Sequence, residues 1–71
     1  MSEQALEVNA IVREALPNAL FRVELEGERR SGAVAHATGG GALLRLRPGD
    51  SVVVELMPYD TTRGRIVRRR T

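Results

Sequence analysis

Apolar and polar residues alternate with a period of two along most of this chain, which is typical of strands that bury one face. The alternation predicts five strands, which cover residues 6–13, 21–26, 33–37, 51–56 and 63–69. Turns separate them about every ten residues, and no long helical period or internal repeat interrupts the pattern. The pattern therefore indicates an all-β domain.

The segments between the predicted strands carry turn-forming residues. In residues 16–19, proline fixes one backbone angle and asparagine tolerates unusual ones. Asp50 and Asp60 stand in turn contexts, where a carboxylate commonly accepts hydrogen bonds from nearby backbone N–H groups. Ordering Gly39–Gly41 is entropically costly, so residues 38–46 are predicted to form a disordered or tight loop with at most one short helical turn.

Five short strands in 71 residues predict one small barrel. A five-stranded oligonucleotide-binding (OB) barrel fits the length, and an SH3-like barrel fits almost as well on pattern alone. The OB scheme expects an extra element between strands three and four, where residues 38–46 lie. We therefore expect residues 1–71 to form a single OB-fold domain, with residues 1–5 as a disordered tail.

Size and composition argue against catalysis and against a membrane protein. So short a chain rarely has room for a deep catalytic cleft, and it has no cysteine for a disulfide or a thiolate zinc site. His36 has no second histidine to share a metal, and Gly39–Gly41 lacks the lysine of a phosphate-binding loop. No apolar run approaches the roughly 20 residues of a membrane span, and the acidic N-terminus does not resemble a signal peptide. We expect a monomeric, cytoplasmic protein that is not an enzyme and needs no metal or cofactor.

All 11 basic residues are arginines, and they are unevenly distributed. Residues 1–35 contain four arginines against six glutamates, whereas residues 36–71 contain seven arginines against three carboxylates. The two parts carry formal charges of −2 and +4, which agree with the net +2 of the chain. Because the arginine fork suits phosphate, this asymmetry predicts a basic face that meets a polyanion. The alternative is a solvated surface with scattered ion pairs.

The last predicted strand supplies much of that face. Its alternation places Arg63, Arg65 and Arg69 on one side, opposite Ile66, while Arg68 breaks the pattern near the end. Three or four phosphate contacts of this kind would give moderate, salt-sensitive affinity.

Aromatic residues are too few for a generic single-strand binder, which stacks successive bases on aromatic side chains. Phe21 shares an apolar face with its strand neighbours and is expected in the core. Tyr59 follows a proline in a turn and is expected to be exposed, where it either stacks on a base or braces the turn. Recognition of a folded RNA by its shape and phosphate positions suits this composition better.

Four stretches of the sequence match one protein family in the right order. They are Leu16-Pro-Asn-Ala-Leu-Phe-Arg-Val-Glu-Leu-Glu26, Ala35-His-Ala-Thr-Gly39, Arg45-Leu-Arg-Pro-Gly-Asp50 and Val54-Glu-Leu-Met-Pro-Tyr-Asp-Thr-Thr-Arg-Gly-Arg-Ile-Val67. Together they cover just over half of the chain, and they resemble bacterial translation initiation factor 1, whose length also agrees. The Pro-Tyr-Asp-x-x-Arg-Gly-Arg-Ile run is the most specific of the matches.

The resemblance implies an OB barrel that binds the small ribosomal subunit at its decoding A site. In this family the contacts are with ribosomal RNA and a neighbouring ribosomal protein, and the factor works with the other two bacterial initiation factors. The RNA-binding candidates at matched positions are Arg22, Arg45, Tyr59, Arg63 and Arg65.

One segment departs from the family. After Ser-Gly, its members usually carry a basic Lys-Met-Arg-Lys-type segment, where this chain has Gly40-Gly41-Ala42. Our hypothesis is that Arg29 and Arg30, or the terminal Arg68-Arg69-Arg70, partly replace that segment as RNA contacts. Arg29 and Arg30 would be excluded if replacing both by alanine left the salt dependence of binding unchanged. The alternative is a divergent paralogue with weaker ribosome affinity or with another RNA target.

Two further interpretations remain open at this stage. The first is a free RNA-binding or RNA-chaperone module of the same fold, which would bind unrelated single-stranded RNAs equally well. The second is a protein-interaction domain in which the acidic Glu24, Glu26 and Glu28 meet a basic partner. Replacing Arg65 by glutamate would leave the function of such a domain intact.

Overall fold

Five strands form the protein in a computed structural model, which describes residues 6–27, 31–37 and 45–70. The strands are β1 (Leu6–Leu16), β2 (Leu20–Leu25), β3 (Gly32–Ala37), β4 (Ser51–Met57) and β5 (Asp60–Arg69). All five predicted strands are confirmed, and β1 and β5 are each three residues longer than the alternation alone indicated. The predictions for residues 1–5, for Arg29 and Arg30, and for the glycine-rich loop before position 45 lie outside the described residues.

The strands close into a barrel in the order β1-β2-β3-β5-β4, with β4 returning to β1. All neighbouring pairs are antiparallel except β3 and β5, which run parallel. This order is that of the OB-fold, so the prediction of an OB barrel is confirmed over the SH3-like alternative. The described residues contain no helix, and hence none that could span a membrane.

The barrel interior is filled by one face of each strand. Phe21 of β2 contributes the aromatic side chain of the core, as the alternation of its strand predicted. Its partner on the neighbouring strand β3 is the small Ala35. Such pairing of a large with a small residue lets side chains from facing strands fill a narrow barrel. Among the described residues, the main core cluster consists of Ala10, Val12, Phe21, Val23, Leu25, Ala33, Ala35, Ala37, Leu46, Val52, Val54, Leu56 and Ile66.

The segment before β4 is anchored on β1. The N–H of Gly49 donates to the carbonyl of Val12 at 2.7 Å, and the N–H of Val12 donates to the carbonyl of Asp50 at 2.9 Å. The Asp50 carboxylate accepts the N–H of Arg47 at 2.9 Å, which confirms the turn role expected for this residue. Leu46, only 6% exposed, completes the anchor by packing into the core.

The β1–β2 turn holds two consecutive residues in the left-handed region, Asn18 at φ 66° and Ala19 at φ 60°. Asparagine visits this region readily, whereas alanine loses roughly 1–2 kcal/mol there because its Cβ crowds the following carbonyl. The Ala19 carbonyl accepts the N–H of Ala37 at 2.8 Å, so the turn geometry is tied to the end of β3.

Replacing Ala19 by glycine is therefore expected to stabilise the protein. Glycine relieves the strain of the left-handed backbone, and this effect outweighs the greater conformational freedom that glycine gives the unfolded chain. The free energy of unfolding should therefore rise by about 0.5–1 kcal/mol. Thermal unfolding followed by circular dichroism should show a melting temperature higher by a few degrees. The matched control is Ala15→Gly on the exposed part of β1, which should lower the melting temperature. A fall with Ala19→Gly would contradict the strain argument.

Candidate nucleic-acid interface

The outer face of β2, β3 and β5 brings three of the candidate arginines together. Arg22 lies opposite Val34, and Val34 lies opposite Arg63. Two residues further along β3, His36 lies opposite Arg65. Neighbouring strands are about 4.8 Å apart, so Arg22 and Arg63 face outward roughly 10 Å from each other. All three arginines are exposed, and together they form a basic surface, which we call the arginine face.

A β-bulge in β5 decides which later arginine joins this face. Val54 pairs with Ile66 and Val53 pairs with Arg68, so Val67 has no partner across β4. The extra residue reverses the alternation beyond it, which places Arg68 on the side of Arg65. The expectation that Arg69 shares this side is therefore wrong, because uninterrupted alternation was assumed.

Arg69 and Arg70 instead form ion pairs beyond the bulge. Arg69 lies 3.4 Å from the carboxylate of Asp50, in the segment that precedes β4. Arg70 lies 3.8 Å from the carboxylate of Glu26, just beyond β2. Both pairs direct these arginines to carboxylates away from Arg22, Arg63 and Arg65.

Three arginines on the outer surface of the barrel also have carboxylate partners. The shortest pair joins Arg65 to Glu55 at 2.5 Å. The pairs of Arg68 with Glu7 and of Arg22 with Glu14 are longer, at 3.4 Å and 3.6 Å. The basic surface is thus more nearly neutral than its arginine content indicates.

Arg63 differs from its neighbours because no described carboxylate lies within ion-pair distance of it, although its charge acts on Asp60 from further away. Among the carboxylates that the structure describes, none lies within ion-pair distance of Arg63, Arg45 or Arg47. Two shallow depressions flank Arg63 on the barrel surface, with volumes of about 470 Å³ and 300 Å³. The larger is lined by Leu20, Val34, His36, Arg63 and Gly64, and the smaller by Glu55, Met57, Arg63, Gly64 and Arg65.

Arg63 lies at the end of an irregular stretch at the start of β5. Met57 pairs with Asp60 and Leu56 pairs with Gly64, so residues 61–63 have no partners across β4. Within this unpaired stretch the Asp60 carboxylate bonds Thr62, since it accepts the Thr62 N–H at 3.1 Å and the Thr62 hydroxyl at 2.6 Å. The turn role expected of Asp60 is thereby confirmed.

The comparisons with known proteins agree with this geometry. No protein-family model matches the sequence. Among solved structures, the solution structure of translation initiation factor 1 from the Wolbachia endosymbiont strain TRS of Brugia malayi matches with a TM-score of 0.70 and 35% sequence identity. The match covers 99% of this chain and 83% of that chain. The chain belongs to the translation initiation factor 1 family. This similarity suggests a role in translation initiation.

Two further candidates that the initiation factor 1 resemblance implies, Tyr59 and Arg45, lie outside the five strands. Tyr59, at the β4–β5 turn, is 73% exposed, as expected for a residue that follows a proline in a turn. Its role in stacking on a base stays a prediction. Arg45 is exposed immediately before the buried Leu46.

The arginine face also has an apolar part, which the sequence pattern had not indicated. Val34 and Leu20 lie beside the candidate arginines, and His36, considered only as a metal ligand, lies between Leu20 and Arg65. In the described part of the chain, no group of three or more histidine or carboxylate side chains could hold a metal. The outward parity of Val34 and His36 on the third strand was a signal that could have found them.

The pKa of Asp60 is lowered, mainly by the hydroxyl hydrogen bond from Thr62, then by the Thr62 N–H, and least by the charge of Arg63. The folded protein thus favours the ionised carboxylate of Asp60, which adds to the free energy of unfolding. This stabilisation is fully present above the ordinary pKa of 3.8 and is lost as the pH falls through the lower pKa of the folded state. An NMR titration should give a midpoint for Asp60 below 3.8, with the Thr62 amide shift following it.

The matched variant for this titration is Thr62→Ala, which removes the largest cause and leaves the backbone donor. The Asp60 midpoint should then move part of the way back towards its ordinary value. An Asp60 midpoint that is the same in both proteins would show that the hydroxyl bond is not what lowers the pKa of Asp60.

Proposed function

We propose that the protein is a translation initiation factor that binds the small ribosomal subunit at the decoding A site through contacts with ribosomal RNA. The observation that supports this most is an OB barrel of the initiation factor 1 family whose β2–β3–β5 surface carries Arg22, Arg63 and Arg65 on one face. The proposal includes a ribosomal protein near the A site and the other bacterial initiation factors as partners. It also includes a cytoplasmic location, a monomeric state and the absence of catalysis.

The mechanism would be occupancy directed by electrostatics. Contacts from arginine to phosphate fix the orientation of a protein on nucleic acid without reading its sequence. Arg63 would make the first such contact. Arg65 and Arg68 must first break their ion pairs with Glu55 and Glu7, whereas Arg63 has no ion pair with any described carboxylate. Once docked, the barrel would block the A site sterically and bias the conformation of the subunit.

Co-sedimentation with purified small subunits tests the proposal. At low salt the protein should pellet with small subunits, should be displaced by an authentic initiation factor 1, and should not pellet with large subunits as the matched control. Failure to pellet with small subunits at low salt would refute it.

An unrelated single-stranded RNA added as competitor addresses the alternative of a free RNA-binding module. For a dedicated ribosome-binding factor, such RNA should displace the protein only at a large excess. Equal competition by this RNA and by small subunits would favour the RNA-chaperone interpretation.

A further inference from the structure

Two arginine–glutamate ion pairs lie side by side on the outer surface of β1, β4 and β5. Glu7 lies opposite Glu55 across β1 and β4, and Glu55 lies opposite Arg65 across β4 and β5. The Val67 bulge brings Arg68 onto the same face, where its guanidinium reaches Glu7 at 3.4 Å. We call these four residues, Glu7, Glu55, Arg65 and Arg68, the outer quartet.

The quartet has no net charge, although two of its members are RNA-binding candidates. Each guanidinium is directed to a carboxylate, and no described carboxylate other than Glu55 or Glu7 pairs with Arg65 or Arg68. A carboxylate presents two oxygens to the arginine fork much as a phosphate does. The glutamates therefore occupy the position that an RNA phosphate would take.

The pairs are exposed enough to be exchanged. The Arg65 side chain is 55% exposed and that of its partner Glu55 is 25% exposed, while those of Arg68 and Glu7 are 61% and 50% exposed. Ion pairs in such positions are weak because water and salt screen them. An RNA phosphate delivered to this surface could thus displace a carboxylate, and the energy of the lost pair would be subtracted from the binding energy.

We propose that Glu55 and Glu7 act as intramolecular competitors of RNA phosphate that limit the affinity of the arginine face. The inference rests on the part of the proposed function that makes RNA the partner. Arg63, which has no carboxylate partner in the described part of the chain, makes the first contact, and Arg65 and Arg68 bind phosphate only after leaving their glutamates. Such a restraint suits a factor that must leave its RNA site once its task is complete.

The salt dependence of binding carries a specific signature of this competition. Added salt weakens the contact between arginine and phosphate, but it also weakens the competing pair between arginine and glutamate. The two effects oppose each other, so each paired arginine adds less than a full phosphate contact to the slope of log K against log salt. Removing the competing carboxylate restores the full contribution of about 0.7–0.9 per phosphate.

Glu55→Gln is the test variant, since it keeps the shape of the side chain and removes its charge. Glu7→Gln releases Arg68 in the same way. The matched control is Glu26→Gln, which makes the same change in net charge and releases Arg70, an arginine outside the arginine face and the quartet. Circular dichroism melts establish that each variant is folded, and Glu7→Gln keeps the test open if Glu55→Gln does not fold.

Binding is measured to two probes, purified small ribosomal subunits and a 12-nucleotide oligouridine. Glu55→Gln should bind whichever probe the unaltered protein binds more tightly, and at low salt its affinity should be at least about fivefold higher than that of the unaltered protein. Its slope of log K against log salt should be steeper by part of one full phosphate contact, which is up to about 0.7. Glu7→Gln should give a smaller gain in the same direction, and Glu26→Gln should change the affinity less than about twofold.

The outcomes separate this inference from the proposed function. If the unaltered protein binds only oligouridine and Glu55→Gln strengthens that binding, the competition stands and the ribosomal role fails. If small subunits bind but Glu55→Gln leaves affinity and slope unchanged, the competition is refuted and the ribosomal role survives. An equal gain in Glu26→Gln also refutes it, because net charge alone would then account for the effect.

Discussion

Gly64→Ala is expected to lower the free energy of unfolding by about 3 kcal/mol or more. A domain of this size has only about 4–10 kcal/mol in total, so much of its stability would be lost. The reason is a close approach between β4 and β5. A Cβ built on Gly64 would lie 2.6 Å from the backbone oxygen of Glu55, 2.7 Å from Leu56 Cδ2 and 2.8 Å from Val54 Cγ1.

Two of those neighbours are side-chain atoms that could rotate, but the Glu55 oxygen belongs to the backbone of a paired strand. Relieving that contact requires β4 and β5 to separate, and β5 is also held by β3 on its other side. The loss should appear as a melting temperature lower by about 12 °C or more.

Gly32→Ala is the matched control, since Gly32 is also a strand glycine and its added Cβ would meet only the Val23 oxygen at 3.9 Å. Its stability should change by less than about 0.5 kcal/mol. If Gly64→Ala cost less than about 1 kcal/mol, the barrel would have to be more adaptable at this point than close packing allows.

Arg63→Ala is expected to lower the affinity for small ribosomal subunits about tenfold at low salt. A charge-assisted contact to phosphate would be lost, and no carboxylate would be freed in exchange, because Arg63 has no ion-pair partner in the described part of the chain. The slope of log K against log salt should become shallower by about one contact. Filter binding over a range of salt concentrations would measure both quantities.

Arg13→Ala removes the same charge from a residue that lies at an irregularity of β1 and pairs with Glu24 at 2.5 Å. We expect this control to change the affinity less than about twofold. Equal losses for the two variants would mean that net charge alone governs binding and that the position of Arg63 on the arginine face is immaterial.

The strands were predictable from sequence because alternation is a local consequence of strand geometry. The burial of Phe21 follows from its neighbours at two-residue spacing, and the bonds of Asp60 to Thr62 span two residues. In the same way, the exposure of Tyr59 follows from Pro58 in a two-residue turn. Each of these features is decided within a few residues of the chain.

The pairing of charges could not be predicted, because it depends on register between distant strands. Glu7 and Arg68 are 61 residues apart in sequence and meet only after the barrel has closed. The bulge at Val67 left a trace in the sequence, since Ile66 and Val67 are adjacent apolar residues in an alternating strand. This pattern does not predict which of the two residues enters the core, and in the structure Ile66 is the one that is fully buried.

The anchors on either side of the β3–β4 connection make that connection replaceable. The chain is fixed at Ala37 by its bond to the β1–β2 turn, and it is fixed again at Leu46 in the core and at Asp50 on β1. Insertions or exchanges between positions 38 and 45 therefore need not be transmitted to the strands that carry Arg22 and Arg63. A basic segment from another family member could be grafted there, and we expect the strand pairing of the barrel to stay unchanged.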